Sequence, residues 1–266
     1  MAIKLNTGKI SKVFIISLSL IIIIIFILCV YCNHGLYYEL HDFEDDLLEK
    51  YFNAQHNHNV PWYYISSYFI LKGADSPSDT EIKKTALKIR KILDEKRGLE
   101  EFIEKYNLRG FGLEVFRHNA IDDILKDKVF PIDTNADYKY DNDWHYPRTF
   151  GGDRKHEGTD IFCQKGTAVR TVSDGKITRL GWNTLGGWRV GIRYKRNIYF
   201  YYAHLCCYED GIFEGMTVKK GQIIGYVGDS GYGAEGTTGK FQPHLHFGIY
   251  QKDKAYNPYP FLIMWE

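Results

Sequence analysis

The sequence has little net charge, few cysteines and no repeat outside one apolar segment near its N-terminus. Its 266 residues carry 34 lysines and arginines against 33 aspartates and glutamates, a formal net charge of +1. A charge so close to zero gives no indication of nucleic acid as a partner. The five cysteines lack metal-site spacing and are too sparse for a disulfide framework, so we interpret them as structural thiols. The 44% of hydrophobic residues suffices for one or two packed domains.

Acidic residues are absent before Glu39, and residues 13–31 carry no charge at all. At ~1.5 Å per residue this run spans ~28 Å as a helix, close to the ~30 Å hydrocarbon core of a bilayer. The lysines nearest to this run, Lys4, Lys9 and Lys12, all stand on its N-terminal side. We therefore predict a single-pass protein of the cell membrane. Its cytoplasmic tail is at 1–12, its membrane anchor is at 13–33, and the rest of the chain is extracytoplasmic.

A cleaved signal peptide is the alternative to a retained anchor. Its apolar stretch is usually about 7–15 residues long and ends at a site of small residues. Here the run is longer, and Val30-Tyr31-Cys32 offers no such site. A lipoprotein signal is disfavoured as well, since Leu28 and Tyr31, which precede the two cysteines, are not small. The retained anchor is our prediction, and cleavage stays open.

Residues 34–130 are predicted as a small helical region. Ser78 to Glu81 reads S-D-T-E, a capping box in which side chains satisfy the free amides of a helix start. Apolar residues follow at helical spacing, and Gly98 suits the end of that helix. Residues 39–52 and 99–106 give weaker helical patterns.

Glycine becomes frequent after about residue 129, and short apolar runs alternate with turns. The runs are TAVRTV, GKITRLGW, WRVGIRY, IYFYYAHL, GQIIGYVG and HLHFGIY. Such strands at roughly 8–12 residue spacing indicate an all-β sandwich or barrel. We predict a polar linker at 131–147 and an all-β catalytic domain at 148–266.

Three short patterns carry no chemistry in this interpretation. Residues 231–236 spell G-x-G-x-x-G, but no helix pattern follows, as a dinucleotide site requires. Gly239-Lys240 lacks the rest of a phosphate-binding loop. His56-Asn57-His58 lies in a polar run that we expect to be a loop, without an acidic or sulfur partner nearby.

His156 and Asp160 stand four residues apart in the stretch HEGTD. Zinc accepts an imidazole nitrogen and a carboxylate oxygen, usually in tetrahedral geometry. The pattern alone is weak, because such pairs occur by chance. Gly158 and the strand that follows argue against a helix, so we expect the carboxylate at the start of a strand.

Three more histidines lie in the same half of the chain. His204 ends a predicted strand, and His244 and His246 stand two apart in PHLHF. Side chains two apart on a strand point to one face, so both imidazoles face one site. Three ligands can hold a catalytic zinc and leave a position open for water. The five residues together therefore leave two histidines for acid–base work.

HEGTD, YYAHL and PHLHF, in this order, resemble the lysostaphin/LytM-type zinc endopeptidases that cut peptidoglycan peptides. The resemblance covers about residues 148–250. It implies a β-sandwich-like fold with a substrate groove and a bound Zn²⁺. It implies that His156, Asp160 and His246 are the metal ligands. His204 and His244 would flank a metal-activated water and the scissile carbonyl.

The resemblance leaves several points open. The glycine-rich loop at 229–242 is longer than is common in the family, and we expect it to line the groove. Some relatives are inactive until activated, because an upstream residue blocks the zinc. In this chain the helical region or the linker could supply such a residue. Glu157 is an alternative base to the two histidines. Aromatic residues able to line a groove are Trp182, Trp188, Tyr226 and Tyr232.

The function that we predict is that of a membrane-anchored zinc endopeptidase acting on peptidoglycan peptides. An anchor with the catalytic domain outside places a hydrolase beside the cell wall. The alternative is a catalytically silent scaffold of the same fold that binds the wall or a protein partner. A zinc peptidase that cuts proteins is a third hypothesis. The presence of all five candidate residues favours catalysis.

Overall fold

The computed structural model describes residues 38–95, 98–252 and 254–266. The predicted anchor at 13–33 lies outside these residues. Among the helices of the described ranges, none is both long and apolar enough to cross a bilayer. The described chain is helical up to residue 125 and forms mainly antiparallel sheet from residue 138 onward.

Helices dominate the first part of the described chain. A 3₁₀ turn at Leu40–Asp42 comes first. The helices that follow are α1 (Asp45–His58), α2 (Trp62–Leu71), α3 (Asp79–Asp94), α4 (Gly98–Lys105), α5 (Phe111–Arg117) and α6 (Asn119–Leu125). The capping box predicted at the start of α3 is confirmed, since Ser78 N donates to Glu81 Oε2 at 2.9 Å and Ser78 Oγ accepts from Glu81 N at 3.4 Å.

Two local predictions in this region are wrong. His56 and His58 lie in the last turn of α1 and not in a loop. The helix includes this polar run and ends only at Asn59, whose left-handed backbone conformation caps it. Gly98 begins α4, whereas α3 already ends at Asp94.

Antiparallel strands dominate the second part. Their bounds are β1 (Tyr138–Lys139), β2 (Pro147–Arg148), β3 (Arg154–Lys155), β4 (Thr159–Cys163), β5 (Ala168–Arg170), β6 (Gly175–Asn183), β7 (Gly187–Arg193), β8 (Ile198–Tyr208), β9 (Thr217–Val218), β10 (Ile223–Val227), β11 (His244–Gln251) and β12 (Lys254–Tyr256). Ten of them form one sheet in the order β1-β4-β11-β8-β7-β6-β9, with β12 beside β11 and β10 joining β5 to β8. β2 and β3 pair separately. All six predicted runs form strands.

Residues 131–147, which we predicted as a linker, take part in the sheet. Tyr138 and Lys139 form β1 against β4, and Ile132 makes an isolated bridge with Val169. The polar, turn-rich composition of this segment gave no sign of that pairing. The three described thiols, at Cys163, Cys206 and Cys207, are free.

The C-terminal helix α7 (Tyr259–Trp265) joins the helical part to the sheet. Its Phe261 ring lies 5.2 Å from the Phe52 ring of α1. Its Trp265 packs against Phe247 of β11, and the indole Nε1 donates to Leu125 O of α6 at 2.9 Å. Helices and sheet therefore share one apolar core. The helix was missing from the all-β expectation.

Candidate metal centre and groove

The pairing of β4 with β11 brings two of the predicted ligands together. Asp160 and His246 are directly opposite in this antiparallel pair. Residues opposite each other point to the same face. His246 Nδ1 accordingly lies 2.9 Å from Asp160 Oδ1. The strand-start position expected for the carboxylate is confirmed, since Asp160 is the second residue of β4.

His156 completes a triad of donor atoms. Its Nε2 lies 2.9 Å from His246 Nδ1 and 3.1 Å from Asp160 Oδ1. In a tetrahedral zinc site with bonds of about 2.0–2.1 Å, neighbouring donor atoms are about 3.3 Å apart. Two imidazoles and one carboxylate at these separations therefore fit zinc in chemistry and in spacing.

His156 is held from behind by the segment before β2. Its backbone N–H donates to Tyr146 O, and its carbonyl accepts from His145 N, both at 2.9 Å. Its Nδ1 lies 3.1 Å from Asp143 Oδ2 and 3.2 Å from Asp143 O. A proton on Nδ1 leaves the Nε2 lone pair facing the triad, which is the tautomer that a metal ligand needs.

A second positioning residue holds the carboxylate. Arg148 donates to Asp160 Oδ2 at 2.6 Å and to Asp143 Oδ2 at 3.2 Å. Asp160 thus turns one oxygen to the triad and the other to the guanidinium. Asp143 and Arg148 were missed in the sequence, because contacts that cross a turn leave no periodic pattern.

Burial and charge set the protonation of the triad. Burial alone would lower the pKa of His156, but the carboxylates of Asp143 and Asp160 outweigh it and raise that pKa to about 9. Burial opposes ionisation of Asp160, yet hydrogen bonds from His156 and His246 hold its pKa well below its usual range. Burial lowers the pKa of His246. Asp160 is therefore ionised, as a metal ligand must be, whereas His156 carries a proton at neutral pH that a bound cation would displace from Nε2.

His204 reaches the site through an irregularity of β8. Its φ of 64° is left-handed, which is uncommon for a residue with a side chain, and the β8 register shifts beside it. Its Nδ1 donates to Ser230 O at 2.8 Å, which frees Nε2. Burial first, and then the neighbouring histidines, lower the pKa of His204 well below its usual range. The imidazole is therefore neutral and able to accept a proton.

His244 stands beside His204 at the start of β11. The two ring centroids are 4.7 Å apart. His244 Nδ1 donates to Gln242 O at 2.7 Å, and its Nε2 lies 3.6 Å from Asp160 Oδ1. The structure thus brings all five predicted residues together. Three donor atoms converge, His244 Nε2 lies next to them, and the ring centroid of His204 is 5.9 Å from that of His246.

A groove of about 600 Å³ opens over these residues. Phe150 and Tyr232 form a stacked pair in its wall, with ring centroids 4.4 Å apart, and Phe241 packs 4.5 Å from His204. The loop at 229–242 therefore lines the groove, as expected. Of the four aromatic candidates, Tyr232 alone lines it. Trp182 and Trp188 pack on each other instead.

The approach to the triad is open in the part of the chain that the structure describes. The residues that line the groove all follow residue 146, so the described helices leave it free. Asp143, within the predicted linker, touches His156 only on its Nδ1 side. Glu157 lies exposed at the rim of the groove.

The model of Peptidase family M23 matches residues 154–258. Among curated proteins, the L-Ala--D-Glu endopeptidase of Bacillus subtilis (strain 168) is 47% identical over 146 residues, 53% of this chain and 45% of its own. The lysostaphin of Staphylococcus simulans is 36% identical over 123 residues, 44% of this chain and 23% of its own. The chain thus spans less than half the length of these curated relatives.

A solved structure from Ruminococcus gnavus ATCC 29149, provisionally named glycyl-glycine endopeptidase lytM, is similar over most of both chains. The sequences are 32% identical, the match covers 84% of this chain and 87% of that one, and the TM-score is 0.53. The family match contains HEGTD, YYAHL and PHLHF in full. The chain therefore belongs to peptidase family M23, a family of metallo-endopeptidases, as the three sequence blocks predicted.

Proposed function

We propose that this protein is a membrane-anchored, zinc-dependent endopeptidase that hydrolyses peptide bonds of peptidoglycan. One observation carries the proposal. The donor atoms of His156, Asp160 and His246 converge, and the free Nε2 atoms of His204 and His244 stand beside them in an open groove. The names of the relatives, an L-Ala--D-Glu endopeptidase and lysostaphin, support the same reaction class.

Three of the residues would hold the metal ion, and the other two would transfer protons. Zinc held by such a triad supplies Lewis acidity and makes water a nucleophile at neutral pH. His204 is neutral, and its carbonyl contact with Ser230 fixes the proton on Nδ1, so Nε2 can take a proton from the attacking water. His244 is held in the same tautomer by Gln242, so its Nε2 can accept a proton; once it has done so, it can stabilise negative charge at the carbonyl oxygen or pass that proton to the leaving amine. Asp143 and Arg148 orient the ligands.

Metal content and cleavage of purified peptidoglycan test this proposal together. Full-length protein in detergent is expected to bind one zinc ion and to release peptide fragments that mass spectrometry can assign. His246→Ala should lose the metal. His204→Ala and His244→Ala should keep it and lower kcat by about 10²–10⁴-fold. His56→Ala, an exposed histidine at the end of α1, is the matched control and should change neither.

The possible outcomes separate the hypotheses. Zinc binding without cleavage by the full-length protein would favour the silent scaffold. Cleavage of proteins but not of peptidoglycan would favour the protein-cutting peptidase. Retention of zinc and activity in His246→Ala would contradict the ligand assignment.

The predicted anchor and orientation belong to the same proposal. The uncharged run at 13–31 and the lysines before it support an N-terminus in the cytoplasm. Cys207 is exposed, so a membrane-impermeant maleimide should label it in intact protoplasts, and Cys207→Ser should remove that labelling. Labelling only after lysis would contradict the orientation.

A further inference from the structure

A second pocket lies on the same sheet as the metal centre. Its volume is about 410 Å³, and we call it the basic pocket after Arg179, Arg189, Arg193, Tyr199 and Tyr250, which line it. Tyr250 also lines the groove over the metal triad. The two depressions are therefore neighbours that share one side chain.

Strand register places the basic pocket along the groove. Tyr250 is opposite Tyr199, and Tyr199 is opposite Arg193, so these side chains follow one row across β11, β8 and β7. His246 precedes Tyr250 by four residues on the same strand and therefore shares its face. At about 3.4 Å per residue the row lies about 14 Å from the triad, the length of about four residues of extended peptide.

Aromatic rings make a continuous floor between the two sites. The ring of Tyr201 lies 6.0 Å from that of His246 and 6.3 Å from that of Tyr250. The ring of Tyr250 is 6.1 Å from that of Tyr199. The rings lie over glycine, since a methyl group at Gly248 would come within 2.8 Å of the Tyr250 ring. A bound peptide can pass over this floor from the triad to the arginines.

The arginines carry positive charge that the described residues do not neutralise. Arg189 and Arg193 form no ion pair with any carboxylate in the part of the chain that the structure describes, and Arg193 stacks 5.5 Å from the Tyr199 ring. Arg179 has a long contact of 3.8 Å with Glu214, and both side chains are more than half exposed. Lys252, also in the pocket, is paired with Glu39 at 2.8 Å.

Two polar atoms in the same pocket lack hydrogen-bond partners. They are Arg189 Nε and Thr178 Oγ1, and both are buried. Groups of this kind are stabilised when a ligand or water satisfies them. Guanidinium groups bind carboxylates through parallel, charge-assisted hydrogen bonds. The pocket therefore has the chemistry of a carboxylate site.

We propose that the basic pocket is a subsite of the groove that binds a carboxylate of the substrate peptide about four residues from the scissile bond. This inference rests on the proposed function and narrows its substrate class. Acidic stem peptides would be preferred to uncharged glycine bridges, because glycine offers the arginines no anion. The names of the curated relatives span both classes, L-Ala--D-Glu and glycyl-glycine.

Matched synthetic peptides test the subsite on the full-length protein in detergent. Two pairs contain the L-Ala–D-Glu bond and are extended on its amino or its carboxyl side. Within each pair, the residue four positions from that bond carries either a carboxylate or the corresponding carboxamide. The wild type should cleave the carboxylate member of one pair with a kcat/KM about tenfold higher than that of its carboxamide.

Charge-neutral variants assign that preference to the pocket. Arg189→Gln/Arg193→Gln should abolish it by lowering kcat/KM for the carboxylate peptide alone. Lys83→Gln/Lys84→Gln on α3 changes the net charge equally, away from the sheet, and should retain the preference. Equal losses on both peptides, or an unchanged preference in the arginine variant, would overturn the proposal.

Binding without turnover separates the subsite from the reaction. Calorimetry with a chelator present measures the affinity for each peptide. Preferential binding of the carboxylate without cleavage on adding zinc would support the subsite and contradict the proposed reaction. Cleavage without any carboxylate preference in rate or affinity would support the reaction and overturn the subsite.

Discussion

Gly158 lies directly against the imidazole of His246. A methyl group on Gly158 would be 2.6 Å from His246 Nε2 and 2.7 Å from Phe247 O, both shorter than any normal contact of a Cβ atom. The φ of Gly158 is not positive, so the glycine is required by close approach and not by backbone conformation. The absence of a side chain at Gly158 therefore leaves room for the His246 ring in the position that the metal triad needs.

Gly158→Ala is expected to displace His246 from the triad. The ring has to move or the β4–β11 pair has to open, at a cost of about 1–3 kcal/mol in the free energy of unfolding. Zinc affinity should fall about 10–100-fold, as when a ligand loses its support. Titration with a competing chelator measures this. The control is Gly112→Ala in α5, where the added methyl meets nothing within 4 Å. Unchanged zinc affinity in Gly158→Ala would show that the ring is not held this way.

Asp143→Asn should weaken the metal site without removing a ligand. The carboxylate and the backbone carbonyl of Asp143 both hold the Nδ1 proton of His156, and asparagine removes the charge that makes the carboxylate the stronger acceptor. We expect zinc affinity to fall about 10–100-fold while the fold is retained. Asp137→Asn changes an exposed carboxylate in the same segment and should bind zinc as the wild type does. Equal affinities in the two variants would assign Asp143 no positioning role.

The predictable part of the site comes from local rules. The two-residue period of a strand places His244 and His246 on one face, and the structure has them so. Short apolar runs between turns predicted β6, β7 and β8, and the structure has strands there. Sequence could not show that His204 has a left-handed backbone, because the irregularity depends on the register of three strands. The contact of Asp143 with His156 is also non-local, so the sequence could not reveal the role of Asp143.

The packing of the helices against the sheet could not be predicted from the sequence either. Helix α7 was not predicted within the all-β domain, because seven residues carry too little helical pattern to stand out. The burial of its Phe261 and Trp265 depends on Phe52 and Leu125, more than 130 positions earlier in the chain. Three-dimensional contact alone identifies the short helix as part of the core.

Phe52→Ala tests whether the helices stabilise the sheet. Phe52 is fully buried between Trp62 and Phe261, so its truncation leaves a cavity at the junction. The free energy of unfolding should fall by about 3–5 kcal/mol, with zinc release at correspondingly lower denaturant. Leu113→Ala, at a side chain that is 58% exposed, should cost less than about 0.5 kcal/mol. Unfolding of the helices at lower denaturant without earlier zinc release would show that the two parts are independent.

His118 should make the protein less stable in acid. It is fully buried in the helical part, where Nδ1 donates to Glu114 O at 2.6 Å and Nε2 lies 2.8 Å from Ser66 Oγ. Burial lowers its pKa from 6.5 to about 4. The unfolded chain therefore binds more protons than the folded one between these values, and stability falls as the pH drops through 6.5. The loss attributable to His118 between pH 7.5 and pH 5 is about 2 kcal/mol.

Urea unfolding of wild type and His118→Gln at both pH values measures this contribution. Glutamine does not titrate, so the variant should lose about 2 kcal/mol less than the wild type on acidification. His56→Gln replaces an exposed histidine and should follow the wild type. The same acid sensitivity in His118→Gln and in the wild type would mean that His118 does not resist protonation in the folded protein. A smaller loss in the variant alone would assign this part of the acid sensitivity to the Ser66–His118–Glu114 contact in the helical core.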